Sequence, residues 1–451
     1  MAATYEKEMG WRYGLGIGPE AHPHLRDVSS PTYSHMSAIT VSDINAILVE
    51  DVDPMVRELY ISANKSPLAR IAKEGRNAGE GTTEFNNSGP AYISARYGRG
   101  SKVRSQNENP TLPQGKTVRE KMSFSPKIIN GSFRISLKAI RGTKGKSHAI
   151  VDELQDNSVQ MLERAQLQMA RQAHNDGEGV LALVNDATPN TKTTVTIDTV
   201  RAQHIQMLLQ ANDDIIIGTQ AEIEADTALD EVVSSVDSST RITVATSTSG
   251  LADNNRIAFL DAWDDSAGEY TEKSGVLGLL VTGTATVQGL STATRAWLTS
   301  NVDSTSEALT KRDILQNLML AEPYTRGSEY AILLGNIYYY AIELFVGTPQ
   351  PDPSKSELIF HGGAEGLFMH WIAGNKAPMV FDPLSHEGAV TGLDLSNIGY
   401  RTLYPLSLVE DGGNMVHRVS GSTVYEVACS EAGNYYVLDP KAHFRLANKT
   451  V

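Results

Sequence analysis

The feature that most constrains the fold is the stretch from Gly75 to Gly115, which is dense in glycine, asparagine, serine and proline. Connections longer than about 15 residues without secondary structure are uncommon inside compact domains. The stretch is therefore either disordered or an extended functional loop.

The residues after this stretch favour the extended loop. Residues 116–140 alternate with the period of a β-strand, which places Val118, Met122 and Phe124, and later Phe133 and Ile135, on common faces. With the extended piece AYISARY before it and the pieces KMSFS and SFRISLKAI within it, the pattern predicts a long two-stranded hairpin projecting from the body. Because an isolated two-stranded hairpin is marginal in water, we expect it to rest on another surface.

The same region carries a charge opposite to that of the rest of the chain. Between Arg76 and Lys146 there are fourteen basic and four acidic residues, a balance of +10. The whole chain has a net charge of -14, so the remainder is -24. A chain with one cationic segment and an anionic remainder can attract copies of itself through complementary fields.

Two other interpretations of the charge stay open. The first is a solvated basic surface without a partner. The second is an arm that binds nucleic acid, although only Tyr92 and Tyr97 interleave the charges as stacking platforms. The negative total argues against a dedicated nucleic-acid binder, which needs a basic footprint.

A long helix is predicted after the hairpin. Ser147 is a suitable cap for a helix from about His148 to Asp176, and Gly177 stands where a left-handed cap is expected. About 29 residues give a length of roughly 43 Å. Apolar residues fall on one face, so this helix should lie across a sheet or a neighbour.

The remaining segments differ in composition. Residues 1–75 hold little core and read as an extended N-terminal arm with short helices after Ser42 and Pro54. Residues 191–275 are rich in threonine, valine and aspartate with short strands, which predicts a small inserted antiparallel barrel or sandwich.

An α/β pattern resumes after the predicted insert. Thr310 and Asp313 are predicted to cap a helix that ends at Pro323, YAILLG is a predicted buried strand, and Asn336 is predicted to cap the next helix. Residues 396–451 read as short strands with glycine and proline turns.

No motif predicts catalysis, a cofactor or a metal. GTKGKS from Gly142 lacks the glycine that a phosphate loop needs at Ile140, and HGGAEG from His361 has no G-x-S-x-G to accompany it. Cys429 reads as a small core residue. Asp261, Asp264, Asp265 and Glu269 lack the spacing of a calcium loop, so a solvated turn is favoured.

No stretch is long and apolar enough for a membrane span, and the start lacks the core of a signal peptide, so we expect a protein that stays in the cytosol.

At this point the order of elements resembles the major capsid proteins of tailed phages, the Hong Kong 97 type of fold, which herpesvirus capsid floors and encapsulin shells share. LPQGKTVREKMSFSPKIINGSFRIS resembles the return strand of that family's extended loop, and MLERAQLQMARQAHNDGEGVLALVND resembles its spine helix. LTKRDILQNLMLAEPYTRGSEYAILLGNIYYYAIELF resembles the helix, strand and helix of the axial domain, and VLDPKAHFRL resembles the closing peripheral strand.

The resemblance implies an α+β fold with a small β-barrel-like insertion. Its parts would be an arm at 1–75, the extended loop at 76–146, the spine helix of the peripheral domain at 147–190, the insert at 191–275, a mainly axial domain at 276–395, and strands returning to the peripheral domain at 396–451.

The function that the resemblance implies is that of a structural protein without enzymatic activity or cofactors. Hexamers and pentamers would tile an icosahedral shell around double-stranded DNA, in the virion, after assembly in the host cytoplasm. The partners would be other copies of the chain, separate scaffolding, portal and cementing proteins, and DNA enclosed without sequence-specific binding.

From the charge pattern we expect four basic residues to contact acidic surface on a neighbouring subunit: Arg96, Arg99, Lys102 and Arg104. Two alternatives remain at this stage, an encapsulin-like shell around protein cargo, and a hydrolase or ligand-binding protein with an inserted β domain.

Overall fold

The structure is a computed structural model that describes most of the chain. The described residues are 66–76, 78, 84–85, 89–96, 119–136, 147–185, 192–198, 200, 205–248, 251–325, 329–346, 368–370, 376–410, 414–419 and 422–450. The chain divides into two compact units. The first comprises Met1–Pro54, Ser132–Val159 and Val409–Ala428, and the second comprises Met55–Gly131, Gln160–Leu408 and Cys429–Val451.

The N-terminal part of the described chain contains two helices and three strands: α1 (Pro67–Lys73), β1 (Ala91–Arg96), β2 (Arg119–Phe124), β3 (Lys127–Ser136) and α2 (Ser147–His174). The predicted arm of residues 1–75 is wrong at its end, since α1 buries Leu68 and Ile71 completely or nearly so. The short helices predicted after Ser42 and Pro54 lie outside the described residues.

The predicted hairpin is only partly correct. β1 and β2 pair as antiparallel strands, with Ala91 opposite Phe124 and Arg96 opposite Arg119. β3, which carries the SFRIS piece, pairs instead with the C-terminal strand β22 (Val424–Val437). Period-2 alternation identifies a strand but not its partner, and here the better partner is almost 300 residues away.

The long helix α2 has nearly the predicted bounds, with 28 residues against about 29. Gly177 has the predicted left-handed conformation at φ 91°. The polar face of α2 is not solvated at the C-terminal end, where Arg171, Gln172 and His174 are all buried. A one-sided apolar stripe was therefore an incomplete description of this helix.

A closed six-stranded barrel follows α2 with strand order β4-β5-β8-β7-β6-β9. Its elements are β4 (Val180–Val184), β5 (Lys192–Asp198), β6 (Asp214–Gly218), α3 (Gln220–Glu224), β7 (Leu229–Ser238), β8 (Arg241–Thr248) and β9 (Arg256–Phe259). Alternate residues point inward, so that Val195, Ile215 and Ile242 form its core. The predicted barrel is confirmed, but it begins at Val180, because VLALV closes the barrel between β5 and β9.

Short elements connect the barrel to the next sheet: β10 (Trp263–Asp264), β11 (Glu269–Tyr270), α4 (Val276–Leu279), β12 (Thr286–Val287), β13 (Leu290–Ser291), β14 (Asn301–Asp303) and β15 (Glu307–Ala308). Gly275 precedes α4 and must be glycine-sized, since a Cβ there would lie 2.1 Å from the carbonyl oxygen of Gln172.

The C-terminal part contains a six-stranded sheet of order β14-β23-β19-β16-β18-β17. The helices and strands of the C-terminal part are α5 (Lys311–Ala321), β16 (Tyr330–Leu334), α6 (Tyr338–Val346), β17 (Phe368–His370), β18 (Lys376–Phe381), β19 (Val390–Asp394), β20 (Ile398–Leu408), β21 (His417–Arg418), β22, β23 (Phe444–Leu446) and β24 (Lys449–Thr450). Because β23 lies between β14 and β19, a strand from the predicted segment 396–451 belongs to the sheet of segment 276–395.

Three local predictions in this part can be compared with the structure. Thr310 and Asp313 form the predicted reciprocal cap of α5, and all five residues of β16 are buried. Asn336 was expected to cap α6, but its side-chain oxygen accepts a hydrogen bond from the N–H of Gly388 at 3.0 Å. A loop distant in sequence therefore competes successfully for this side chain.

The strand β22 has residues in each unit. In the second unit, β20 pairs with its C-terminal half from Ile398 opposite Val437 to Leu408 opposite Cys429. In the first unit, β21 pairs with its N-terminal part, with His417 opposite Glu426. None of the described helices combines the length and apolar composition needed to cross a membrane.

Acid sensitivity is expected from His443, which is fully buried beside the six-stranded sheet. Its Nδ1 accepts a hydrogen bond from the N–H of Asp394 at 3.1 Å. Burial lowers the pKa of His443 from 6.5 to about 4, and the charge of Asp394 opposes this only in part. Between pH 6.5 and 4 the unfolded chain therefore binds a proton that the folded chain excludes, so stability is lost as the pH falls.

We predict that His443→Asn, which retains an acceptor but does not titrate, weakens the fall in unfolding free energy between pH 6.5 and 4 by up to about 1.4 kcal/mol per pH unit. Denaturant unfolding at several pH values measures this. His417→Asn, at a half-buried histidine, is the matched control. Parallel pH dependences of wild type and His443→Asn would contradict the assignment.

Candidate assembly surface

The base of the hairpin, which we call the stem, consists of β1 and β2. One of its faces is apolar and buried, formed by Ala91, Ile93, Ala95, Met122 and Phe124. These side chains pack with Phe85, Leu298 and Tyr436 in one core cluster. The ring of Phe124 stacks on that of Tyr436 with centroids 5.1 Å apart.

Polar contacts fix the stem in the same place. The N–H of Ser123 donates to the carbonyl oxygen of Gln288 at 2.8 Å. Glu120 pairs with Arg295. The stem therefore rests on another surface, as predicted, and the described residues that form this surface belong to the same chain.

The opposite face and the far end of the stem are basic. Lys121 is exposed, and its Nζ lies 3.3 Å from the centroid of the Tyr92 ring. Arg119 is also exposed and makes no ion pair with any described residue. Its cross-strand neighbour is Arg96, and like charges directly opposite each other are unfavourable. Positive charge therefore accumulates where the stem ends.

The other basic side chains of the cationic segment that the structure describes form ion pairs. Arg76 pairs with Glu329 at 2.6 Å, Lys127 with Glu269 at 3.0 Å, and Arg134 with Glu426 at 3.7 Å. These three basic residues lie outside the stem. The basic residues at the outer end of the stem differ from them, because no described carboxylate pairs with Arg119 or Lys121.

Of the four predicted contact residues, only the backbone of Arg96 is described, as the last residue of β1. Its side chain and all of Arg99, Lys102 and Arg104 lie outside the described residues, as does most of GTKGKS and all of HGGAEG. The contact of these four residues with a neighbour therefore stays a prediction.

A serine, an aspartate and a histidine meet inside the second unit, but in the wrong order for a nucleophile. Asp382 Oδ2 accepts from Ser66 Oγ at 2.5 Å and lies 3.0 Å from His174 Nε2. A catalytic serine needs the histidine as its base, whereas here the carboxylate is in the middle.

Electrostatics also make this cluster a structural network. Burial would raise the pKa of Asp382, but the charge of His174 and the hydrogen bonds from His174, Ser66 and the N–H of Leu384 outweigh it and lower the pKa to about 2. The carboxylate stays ionised and ties α2 to the start of α1.

A second buried cluster joins Lys273, Glu431 and Tyr400. The Nζ of Lys273 is 2.5 Å from Glu431 and 2.8 Å from the Tyr400 hydroxyl, and the lysine is fully buried. Burial lowers the pKa of Lys273, and the charge of Glu431 opposes this. The ammonium group of Lys273 donates only to protein acceptors among the described residues. We therefore interpret Lys273 and Glu431 as a structural ion pair.

The single cysteine is buried in β22, as predicted. Burial raises the pKa of Cys429 to about 11, which suppresses the thiolate that nucleophilic chemistry requires.

The acidic turn around β10 and β11 is held by its own contacts. Asp264 Oδ1 accepts from the N–H groups of Ser266 and Ala267 at 2.8 and 3.1 Å, and Glu269 pairs with Lys127. Within the described part of the chain, no three histidine, cysteine or carboxylate side chains converge as metal ligands would.

Comparisons with known proteins give structural likeness only. No protein-family model and no curated protein matches the chain. It is similar to the capsid asymmetric unit of cyanophage A-1(L), with 11% identity, a TM-score of 0.46, and coverage of 86% of this chain and 95% of the other. It is also similar to the capsid of a native GTA particle, with 9% identity, a TM-score of 0.43, and coverage of 86% and 92%.

A third similar structure is the virus-like particle from Pyrococcus furiosus, with 8% identity, a TM-score of 0.32, and coverage of 88% and 99%.

We predict that Lys273→Met lowers the free energy of unfolding by about 3–5 kcal/mol, because it leaves the charge of Glu431 buried without a partner. Lys273→Met combined with Glu431→Gln should recover more than half of this loss, since no uncompensated charge remains and the side chain at position 431 still accepts the hydrogen bond that the Tyr400 hydroxyl donates to it. Urea unfolding measures both. Arg70→Met, at the exposed ion pair of Arg70 with Glu74, should cost less than about 1 kcal/mol. Equal losses in the single and double variants would refute the structural role of the pair.

Proposed function

We propose that this chain is a major capsid protein with the Hong Kong 97 type of fold, which self-assembles into hexamers and pentamers of an icosahedral shell around double-stranded DNA. The observation that carries the proposal is the stem. It is fixed to its own unit by an apolar face, and its outer end bears Arg119 and Lys121 without carboxylate partners among the described residues.

A stem of this kind suits a contact between copies. Because β1 and β2 are already ordered in one subunit, these two strands lose no further conformational entropy when the residues beyond them dock. The complementary charge is present in the same chain, whose remainder outside the cationic segment is -24. In a closed symmetric shell one such contact is repeated at every subunit, so a weak interaction suffices.

The other parts of the fold suit the same assignment. In this proposal the 28-residue α2 would be the spine helix, and the sheet containing β16 with α5 and α6 would belong to the axial domain. The stem would be the base of the extended loop, the β20–β22 pair would belong to the peripheral domain, and the barrel would be an insertion.

The proposal implies several partners. These are other copies of the chain, separate scaffolding, portal and cementing proteins, and DNA enclosed without sequence-specific contacts. The net charge of -14 is compatible with a shell that encloses DNA, but not with high-affinity binding of DNA. The protein would belong to the virion and assemble in the host cytoplasm.

The experiment is charge reversal beyond the stem. Arg99→Glu combined with Arg104→Glu should prevent particle formation or shift it to a different range of salt concentration, while the subunit still folds. Electron microscopy and sedimentation across a salt series measure assembly, and circular dichroism checks folding.

The matched control reverses two exposed charges at the start of α5, Lys311→Glu with Arg312→Glu, where acidic residues suit the helix N-terminus. Particles should form normally from this control. Normal particles from the Arg99/Arg104 variant at every salt concentration would reject the role of these residues. Failure of the wild-type chain to form shells, alone or with a scaffold protein, would reject the capsid function.

A further inference from the structure

One edge of the stem lies against a small hairpin from later in the second unit. The hairpin consists of β12 and β13, and its two-residue turn is formed by Gln288 and Gly289. Both turn residues have positive φ, 48° and 76°, as in a tight type I′ turn. We call the hairpin together with Arg295 the clamp.

The clamp is ordered by contacts of its own. Val287 is 1% exposed, and Leu290 packs against the apolar cluster of the stem. The hydroxyl of Thr292, which is 4% exposed, accepts from the N–H of Ala285 at 2.8 Å and donates to the carbonyl oxygen of Gly283 at 2.6 Å. The clamp therefore offers the stem a fixed support.

Two polar contacts join the clamp to β2. The N–H of Ser123 donates to the carbonyl oxygen of Gln288 at 2.8 Å, and the carboxylate of Glu120 pairs with Arg295. The two β2 residues are separated by about 10 Å along the strand. A single contact would be a pivot, whereas two contacts at this separation fix the direction of β2.

The position of Glu120 shows why the second contact is needed. Side chains alternate along a strand, so Glu120 lies on the same face as Met122 and Phe124, which are buried. Its own side chain is only 25% exposed, and Arg295 compensates its charge. Without that cation the carboxylate would be drawn towards water, and the outer end of the stem with it. The apolar cluster does not prevent this tilt, because apolar packing is not directional.

We propose that the clamp sets the direction in which the stem leaves the subunit, and that the clamp stays closed in the assembled shell. The inference rests on the proposed function, because the direction of the stem matters only if the residues beyond it meet other copies. Glu120 and Arg295 are then positioning residues, which act on assembly through the stem. In the closed clamp both of their charges are paired, so an isolated subunit already has the conformation that the shell requires.

The first test breaks the ion pair. Arg295→Glu places two carboxylates side by side, and we expect the protein concentration needed for assembly to rise at least about tenfold. In the unassembled subunit, amide hydrogen exchange of residues 119–124 should become at least about tenfold faster, while exchange of β6 in the barrel stays unchanged. Adding Glu120→Arg reverses the pair and should restore both quantities.

The matched control is Arg241→Glu, which makes the same substitution in the ion pair of Arg241 with Asp237 on the barrel. Assembly and hydrogen exchange of the stem should equal those of wild type in this control. An Arg295→Glu chain that assembles and exchanges like the control would overturn the proposal.

The second test locks the clamp with a disulfide between positions 123 and 289. A Cβ on residue 289 would lie 3.9 Å from the Cβ of Ser123, within the range of about 3.5–4.5 Å that a disulfide spans. The native Cys429 is buried, and burial raises the pKa of its thiol to about 11, so it does not compete. Ser123→Cys with Gly289→Cys should therefore form a cross-link under mild oxidation, seen as a loss of free thiols.

The locked chain distinguishes a closed clamp from an open one in the shell. Oxidised Ser123→Cys/Gly289→Cys should assemble at no higher concentration than the same chain in reductant, because the clamp does not have to open. In combination with Arg295→Glu, oxidation should reverse most of the tenfold rise in assembly concentration, and reductant should bring the rise back. The substitutions are identical in both redox states, so the difference reports the lock alone.

The outcomes separate this inference from the proposed function. If the wild-type chain forms shells and the oxidised locked chain does not, the capsid function stands and the clamp opens on assembly, which overturns the proposal. The same conclusion follows if no cross-link forms, since residues 123 and 289 then do not meet. If the wild-type chain forms no shells, the proposed function fails, while hydrogen exchange in the Arg295→Glu subunit still tests whether the clamp holds the stem.

Discussion

The constraint on which the second unit depends is the burial of the C-terminal end of α2 on every side. Residues 169–175 are all buried, and three of them, Arg171, His174 and Asn175, carry groups that cannot be left without partners. Each has a partner in a different region, although Arg171 Nη1 has none among the described residues. Arg171 pairs with Glu272 beyond the barrel, His174 pairs with Asp382 after β18, and Asn175 Oδ1 accepts a hydrogen bond from His386 Nε2 at 3.0 Å. One helix end therefore fixes the positions of three segments that are distant in sequence. Removing any of these partners would leave a buried polar group of α2 unpaired.

The stem differs in how its apolar and its charged groups are satisfied. Its apolar face is completed by Leu298 and Tyr436, so β1 and β2 are ordered by contacts within the chain. Its charge is only partly paired, because Arg295 neutralises Glu120 while none of the described carboxylates pairs with Arg119. Among the described residues, apolar packing of the stem is therefore complete, whereas its electrostatic pairing is not.

The sequence by itself determined the elements whose signals are local. α2 begins at Ser147 and Gly177 follows shortly after its end, Thr310 and Asp313 cap α5, YAILL is fully buried, and the composition rich in threonine, valine and aspartate predicted the inserted barrel. Only the tertiary structure decided which strands pair and which polar groups meet. β3 pairs with β22 and not within the predicted hairpin, and the strand VLALV completes the barrel. The side chain of Asn336 accepts a hydrogen bond from Gly388, and Glu272 forms an ion pair with Arg171. The physical reason is that caps and periodicity act over a few residues, whereas strand pairing and the satisfaction of buried charge depend on groups about 50 to 300 positions apart, whose competition no local pattern records.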